Sequence, residues 1–303
     1  MAQAPATKKM KRRALRLAAA LSPALAEKLS PVASERAALA LRAATAGKTR
    51  RRAEEVVFLM PLVGPHHVGD WQAVTARLAQ TLESFHRQDG AWRAVICCQE
   101  RPPLPEGMAE DTRISWLPFD DPTPGNDKWR KLAALCAHLG ETVTVPSYVM
   151  SFDADDLLRD GAVAEILERQ EAGYLVEEGY VMDHATGDVA LAGPPTAALP
   201  LRKPFWKLCG SCLALHHDPA LPQSAAFLRE MTQHEHRMFP YLAALAGRVP
   251  VPFREPAVLY VLNHGENFGA RRGRVGFKTR FVQRFRITDP KELARVAEDF
   301  PAP

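Results

Sequence analysis

"SYVMSFDADDLLRDG" (147–161) is the stretch on which the fold turns. Tyr148 to Phe152 form a short apolar run of the kind that fills a buried strand, and it leads straight into three carboxylates, Asp153, Asp155 and Asp156. Like charges crowded at a strand end repel one another, so they need an offset. A hard divalent cation with oxygen ligands, Mn²⁺ or Mg²⁺, supplies one. Bound by one or two carboxylates, such an ion takes substrate phosphates as further ligands. A plainer job for the same aspartates is to cap a following helix. An EF-hand loop is excluded because Leu157 stands where a ligand is required.

Upstream, "EEVVFLMPLV" (54–63) reads as a buried strand. From Asp70 onward, Trp71, Val74, Leu78, Leu82 and Phe85 recur at spacings of three and four, an amphipathic helix with Asp70 as its N-cap. "RAVICCQ" (93–99) and "RISWLPF" (113–119) are two further strands, and Trp129, Leu132, Cys136 and Leu139 mark a second helix that Gly140 should end. With 147–152 as the fourth strand, the order β–α–β–β–α–β argues for a doubly wound α/β sheet, whose ligands sit at the carboxyl ends of the strands. The G-x-G-x-x-G fingerprint is missing after the first strand, where "PLVGPHHVGD" stands, so a nicotinamide or flavin enzyme is not expected. Beyond residue 160 the sequence predicts a hairpin over 173–193 around "HATGD", a strand within "FWKLCGSCLALHH", and a helix from Ala225 to Ala246 interrupted at Pro240. Cys209 and Cys212 stand an odd distance apart on that strand and point to opposite faces, which argues against a zinc site with His216 and His217.

The 303 residues are ordinary for a globular chain, 47% hydrophobic and 24% charged. Their net charge of +4 hides an asymmetry: residues 1–53 hold 13 Lys and Arg against 2 acidic residues, so the remainder is net acidic. The basic part, with Ser22-Pro23 and Ser30-Pro31 as helix starts and Gly47 as a stop, predicts an Ala/Leu-rich helical arm. Such an arm suits peripheral contact with anionic lipid or with a partner. Five cysteines do not form a disulfide framework and point to a reducing compartment. No apolar run approaches the ~18 residues of a membrane span. The expected location is therefore cytoplasmic, with the arm able to lie at the inner face of the membrane. "ARRGRVGFKTRF" (270–281) is basic, yet the body is acidic and carries no nucleic-acid motif, so no nucleic-acid partner is expected.

Together "VVFLMPLVGP", "WQAVTARLAQTLESFHRQ", "WRAVICCQERP" and "NDKWRKLAALCAHLGETVTVPSYVMSFDADDLL" resemble the nucleotide-sugar half of GT-A fold glycosyltransferases, closest to family-2-like bacterial enzymes of the rhamnosyl- or galactosyltransferase type. "HEHRMFPYLAALAGRVPVPFREPAVLYVLNHGEN" is similar to that family's acceptor side, and the likeness covers roughly residues 55–268. It implies a Rossmann-like, mostly parallel mixed sheet with helices on both faces. The chain would then divide into the basic extension 1–53, a nucleotide-sugar half 54–160, an acceptor half 161–287 of the same catalytic domain, and a tail 288–303.

The resemblance implies a metal-dependent transfer of a sugar from a UDP, dTDP or GDP donor to a hydroxyl of a glycan or glycolipid acceptor, with inversion, in bacterial surface polysaccharide or glycoconjugate synthesis. Asp153 and Asp155 would bind metal and donor, with Asp156 in support and His264 as a further ligand or diphosphate contact. Pro61, Leu62, Gln99 and Glu100 would border the nucleotide. Lys128, Lys131 and Arg271 (with Arg272 and Arg274) would meet donor phosphate. The family places a Glu-Asp pair at the start of the later helix. Glu235-His236, preceded by His234, stand there instead, and Glu235 is the preferred base, ahead of His236 and His234. Two other readings stay open: a haloacid-dehalogenase-like phosphatase with Asp153 as nucleophile, and a non-catalytic nucleotide-sugar-binding protein of the same fold.

Overall fold

A computed structural model describes residues 3–30, 32–121, 125–265 and 275–301. Two sheets share the body. The larger has seven strands in the order β10-β6-β9-β4-β1-β2-β3, where β1 is Glu55–Pro61, β2 Trp92–Cys98, β3 Ile114–Pro118, β4 Ser147–Ser151, β6 Gly173–Leu175, β9 Leu213–His217 and β10 Val251–Pro252. Strands β1 to β4 run parallel, and β9 pairs antiparallel with both β4 and β6. The result is a mixed, mostly parallel α/β sheet whose strand order reverses between β1 and β4. The smaller sheet, β5-β11-β7-β8, comprises Asp156–Leu158, Val258–Leu262, Gly179–Asp183 and Asp188–Ala192.

Local sequence explains the elements. In α4 (Trp71–His86), Val74, Leu78, Leu82 and Phe85 are buried, and the Asp70 carboxylate accepts from the Ala73 N–H at 2.9 Å, as the N-cap reading requires. Phe85 stacks on Phe58 of β1 at 4.0 Å between ring centroids, and Phe152 meets both rings edge-on. Burying one such side chain contributes about 1.5–3 kcal/mol, so this trio clamps α4 against β1 and β4. Helix α5 (Lys128–Thr142) does not stop at Gly140 but runs two residues further. A Cβ at Gly140 would touch Ala225 at 3.4 Å, so this glycine serves the close approach of α7 (Pro222–Thr232) rather than termination.

The half beyond residue 160 departs from its expected outline. The helix expected over 225–246 is three elements: α7, a 3₁₀ turn at His236–Met238, and α8 (Phe239–Leu245). Pro240 lies in the first turn of α8, where its missing N–H costs nothing. The hairpin expected over 173–193 is narrower, β7 and β8 turning at 184–187, while β6 belongs to the large sheet. Since β6, β9 and β10 extend the sheet begun by β1 to β4, the two halves share one core. Helix α6 (Ala162–Arg169) packs on β1, α9 (Val275–Arg284) on the small sheet, and α10 (Pro290–Asp299) brings Val296 and Phe300 to Tyr180 of β7.

Residues 9–45 form α1 (Lys9–Leu21), α2 (Pro23–Leu29) and α3 (Ala33–Thr45), packed on α7 and α8. Ser22 caps α2 as expected, its hydroxyl accepting from the Leu25 N–H at 3.3 Å. Ser30 does not cap α3, whose N-cap is Val32; its hydroxyl donates instead to Glu35. That carboxylate is fully buried and also accepts from Thr7 Oγ1 at 2.6 Å and Tyr241 Oη at 3.0 Å. The basic run Arg50–Arg52 bonds the body through the Gln170 carbonyl, Asp218 and the Leu167 carbonyl. All five cysteines are buried, and burial pushes the Cys97 and Cys136 thiols up to about 12. Among the described residues no helix is long and apolar enough to cross a membrane.

Replacing Glu35 by Ala strands three hydroxyls in the interface between arm and body. It should cost about 2–4 kcal/mol, read as a lower denaturation midpoint and faster tryptic cleavage of the arm.

His216 and His217 are buried near the amino end of β4, and desolvation lowers both imidazoles to about 4. They are neutral in both folded and unfolded chains above the ordinary histidine range. Below it, the unfolded chain takes protons that the fold refuses, so stability should fall between pH ~6.5 and ~4 by roughly 1.4 kcal/mol per pH unit per imidazole. Buried Asp156, raised chiefly by desolvation, acts with the opposite sign, because acid relieves its penalty. Urea midpoints at neutral pH and at pH ~5 check this, with His217→Gln expected to shrink the difference.

Candidate functional site

Three parallel strands deliver their carboxyl ends to one place. β1 ends at Pro61–Leu62, β2 at Cys98–Gln99, and β4 at Ser151, from which Phe152 still donates its N–H to the Leu59 carbonyl at 3.0 Å. The chain then crosses from the large sheet to the small one through Asp153–Asp155 and enters β5 at Asp156. The aspartates therefore lie on the crossing between the sheets, beside the reversal of strand order, and cap no helix.

Each carboxylate has its own partner. Asp153 Oδ1 accepts from Lys128 Nζ at 2.5 Å, and Asp155 Oδ2 lies 2.8 Å from His264 Nε2. Burial works against the Lys128 charge, but Asp153 and Asp155 outweigh it and hold the ammonium above its ordinary range. Asp156 is turned inward and fully buried: Oδ2 accepts from Ser211 Oγ at 2.6 Å and from the Cys209 thiol at 3.0 Å. Its Oδ1 has no hydrogen-bond partner among the described residues. Desolvation, then Asp155 and Asp153, push this carboxyl well above the usual range, toward the neutral acid. The support expected of Asp156 is thus internal, given from behind the two outward carboxylates.

Ser211 is the link that sequence reasoning passed over. Its hydroxyl accepts from the Asp153 N–H at 2.8 Å while donating to Asp156, so one side chain orients both ends of the aspartate segment. Gly210 lets this turn approach: a Cβ there would stand 3.4 Å from Asp153 Oδ2. The segment 209–212 is a turn ahead of β9, not the strand expected there, and Cys209 turns its thiol to Asp156. Tyr260 and Lys278 were also missed. Tyr260 is the cross-strand partner of Asp156, and its hydroxyl accepts from Lys278 Nζ at 2.6 Å. Burial holds the Lys278 ammonium below its ordinary range, although Cys209, Asp156 and Asp153 favour the charge. Lys278 belongs to the basic segment 270–281 read in the sequence. Arg271, Arg272 and Arg274 of that segment lie outside the described residues.

Lys131 does not reach outward to a phosphate. It is fully buried, and its ammonium donates to the Leu62 carbonyl at 2.6 Å and Gln99 Oε1 at 2.8 Å while pairing with Asp127 at 2.8 Å. Three donors meet three acceptors, so its work is to fix the ends of β1 and β2. Gln99 completes the cluster by donating Nε2–H to Asp127 at 2.6 Å, and a Cβ at Gly64 would collide with its amide. Glu100 stands at the surface opposite His66.

The three candidate bases occupy one short stretch but different surroundings. His234 is buried, with Nε2 2.7 Å from Ser34 Oγ of α3, and serves the arm contact, away from the aspartates. Glu235 precedes the 3₁₀ turn, half-exposed, 3.8 Å from Arg237. His236 has a buried Nε2 without a partner among the described residues. Desolvation, then Lys128 and Lys278, lowers its imidazole to about 3.

Among the described residues no three His, Cys, Asp or Glu side chains converge as a ready metal cage. The donor chemistry nonetheless suits Mn²⁺ or Mg²⁺, which keep waters or phosphate oxygens and need only one or two carboxylates. Asp153 and Asp155 supply these, with the His264 imidazole adjacent.

No protein-family model matches the chain, and no curated protein matches it. Among solved structures it is similar to a 4-diphosphocytidyl-2C-methyl-D-erythritol synthase, at 16% identity and a TM-score of 0.31, over 75% of this chain and 98% of that one. It is also similar to the apo-form of the glycosyltransferase GlyE of Streptococcus pneumoniae TIGR4, at 13% identity and a TM-score of 0.32, over 77% of this chain and 51% of that one. A second GlyE structure matches at 13% identity and a TM-score of 0.31. The chain spans about half the length of the GlyE chains. Likeness at this level assigns no activity.

Proposed function

We propose that the chain is a metal-dependent glycosyltransferase that moves a sugar from a nucleoside-diphosphate donor to a hydroxyl of a glycan or glycolipid. One observation carries this reading: two outward carboxylates, Asp153 and Asp155, stand at the carboxyl end of β4 beside the reversal of strand order, flanked by Lys128 and His264. Open α/β sheets bind their ligands at such a point.

Asp153 and Asp155, with His264, would hold Mn²⁺ or Mg²⁺, whose charge offsets what develops on a leaving diphosphate. The chain's own residues do the rest. Lys128 fixes the Asp153 carboxylate and brings a second cation to the donor phosphates. Asp156, buried and bonded to Ser211 and the Cys209 thiol, braces the crossing from behind Asp153 and Asp155. Pro61, Leu62 and the Gln99 amide, held rigid by Lys131, border the nucleotide base. Glu235 takes the proton from the acceptor hydroxyl, and direct attack inverts the sugar carbon. With its imidazole lowered to about 3, His236 is a neutral but weak base at physiological pH.

Thermal stabilisation by UDP, GDP and dTDP, with and without Mn²⁺, tests the donor site. One nucleotide at ~100 times its Kd should add about 2.7 kcal/mol, only with the metal, and Asp155→Ala should abolish the gain. A folded protein that none of the three stabilises, but that releases phosphate from a simple phosphoester, would support the phosphatase reading with Asp153 as nucleophile.

For the base, Glu235→Gln should lower turnover about 100-fold or more with nucleotide binding retained, measured as nucleoside diphosphate released from the donor. Wild-type turnover in Glu235→Gln, together with loss in His236→Gln, would move the role to the imidazole.

A further inference from the structure

Helix α1 carries two apolar stripes on opposite sides. One, Leu15 and Ala19, is buried against the rest of the arm and α8. The other follows the spacing 10, 14, 17, 21, which places Met10, Ala14, Leu17 and Leu21 on one helical face. That face is open. Met10 is 76% exposed, Leu17 69% and Leu21 86%, and α2 adds Leu25 at 51% and Leu29 at 56%. Nearly half of the large exposed apolar side chains in the described structure thus belong to twenty consecutive residues. Scattered exposed leucines are ordinary, but a row of them at helical spacing marks an interaction surface.

Charge says what covers it. Lys9, Arg13 and Arg16 are exposed along one flank of the outward stripe, with Lys8 ahead of it and Lys28 on α2. The arm has two carboxylates, and Glu35 is spent inside on Thr7, Ser30 and Tyr241. Glu27 alone remains exposed against this basic surface. A helix with an apolar face, a cationic flank and almost no acid is built for the interface of an anionic bilayer, where the leucines enter the acyl boundary and the lysines and arginines meet headgroup phosphates. The inner stripe and the buried Glu35 already hold α1 to the body, so the outer stripe is free for a second surface.

We propose that α1 and α2 dock the protein on an anionic lipid surface through Met10, Leu17, Leu21, Leu25 and Leu29, with Lys9, Arg13 and Arg16 as the electrostatic flank. The inference is independent of the glycosyl-transfer reading.

Cosedimentation of the full chain with two kinds of vesicle tests it, one of phosphatidylcholine alone and one of phosphatidylcholine mixed with phosphatidylglycerol. The wild-type chain should pellet with the anionic vesicles only, and less so as salt is added. Leu17→Ser/Leu21→Ser and Lys9→Gln/Arg13→Gln/Arg16→Gln should each reduce binding about ten-fold or more, with unchanged thermal midpoints because the altered side chains are exposed. Failure of the wild-type chain to bind anionic vesicles overturns the proposal, as does binding that the leucine variant leaves intact. A dimer that dissolves in Leu17→Ser/Leu21→Ser, without vesicle binding, overturns it in favour of a second copy of the chain.

Discussion

The fold hangs on a carboxyl group that water does not reach. Asp156 opens β5 and so begins the small sheet; its backbone carbonyl accepts from Thr81 of α4 at 2.8 Å, and its side chain accepts from Ser211 and Cys209 of the turn before β9. A charged carboxylate at that depth would be costly, and two neighbouring aspartates make it more so, so the neutral acid is favoured. In that form it joins β5, α4 and the 209–212 turn without adding a third negative charge to the crossing. α4 completes the seal, for Ser84 Oγ accepts from the Leu158 N–H at 3.1 Å and leaves the outer edge of β5 with few loose backbone groups.

A second buried group sets the opposite wall. Lys131 spends its ammonium on the ends of β1 and β2 and on Asp127, so the border of the proposed nucleotide site is held before any ligand arrives. Pre-organisation of this sort lowers the ordering cost of binding. Between these two anchors the Asp153–Asp155 segment stays partly exposed, with Lys128 on Asp153 and the buried His264 imidazole against Asp155. The proposed site is the short remainder left when the rest of the carboxyl end has been tied down.

Much of the first half was legible in the sequence because each element there has its own period. The stripe from Trp71 to Phe85 and the apolar runs of β1, β2 and β4 follow local rules that packing leaves undisturbed. The second half was less legible, because its strands are short and belong to two sheets. Nothing local distinguishes β6, which joins the large sheet, from β7 a few residues later in the small one. At the site, the aspartates announced themselves by type and place. What the sequence could not show was direction: that Asp156 points in and Asp153 out, that Lys131 is saturated while Lys128, one turn earlier, faces Asp153, and that His234 serves the arm. Those outcomes depend on partners that are distant in sequence, Ser211 for Asp156, Leu62 for Lys131 and Ser34 for His234. Ser211 had a faint signal, a small polar residue between Gly210 and Cys212, but its role exists only once the turn lies against the crossing.

The five buried thiols give the chain an internal set of reporters. A thiol reacts through its thiolate, and burial suppresses that form in the native state. Alkylation therefore waits for local opening, and its rate at each cysteine measures how often that neighbourhood opens. The neighbourhoods differ: Cys97 and Cys98 mark the end of β2, Cys136 the packing of α5 on α7, and Cys209 the contact with Asp156. Without any engineered label, the protein can thus distinguish breathing of its aspartate crossing from breathing of its core.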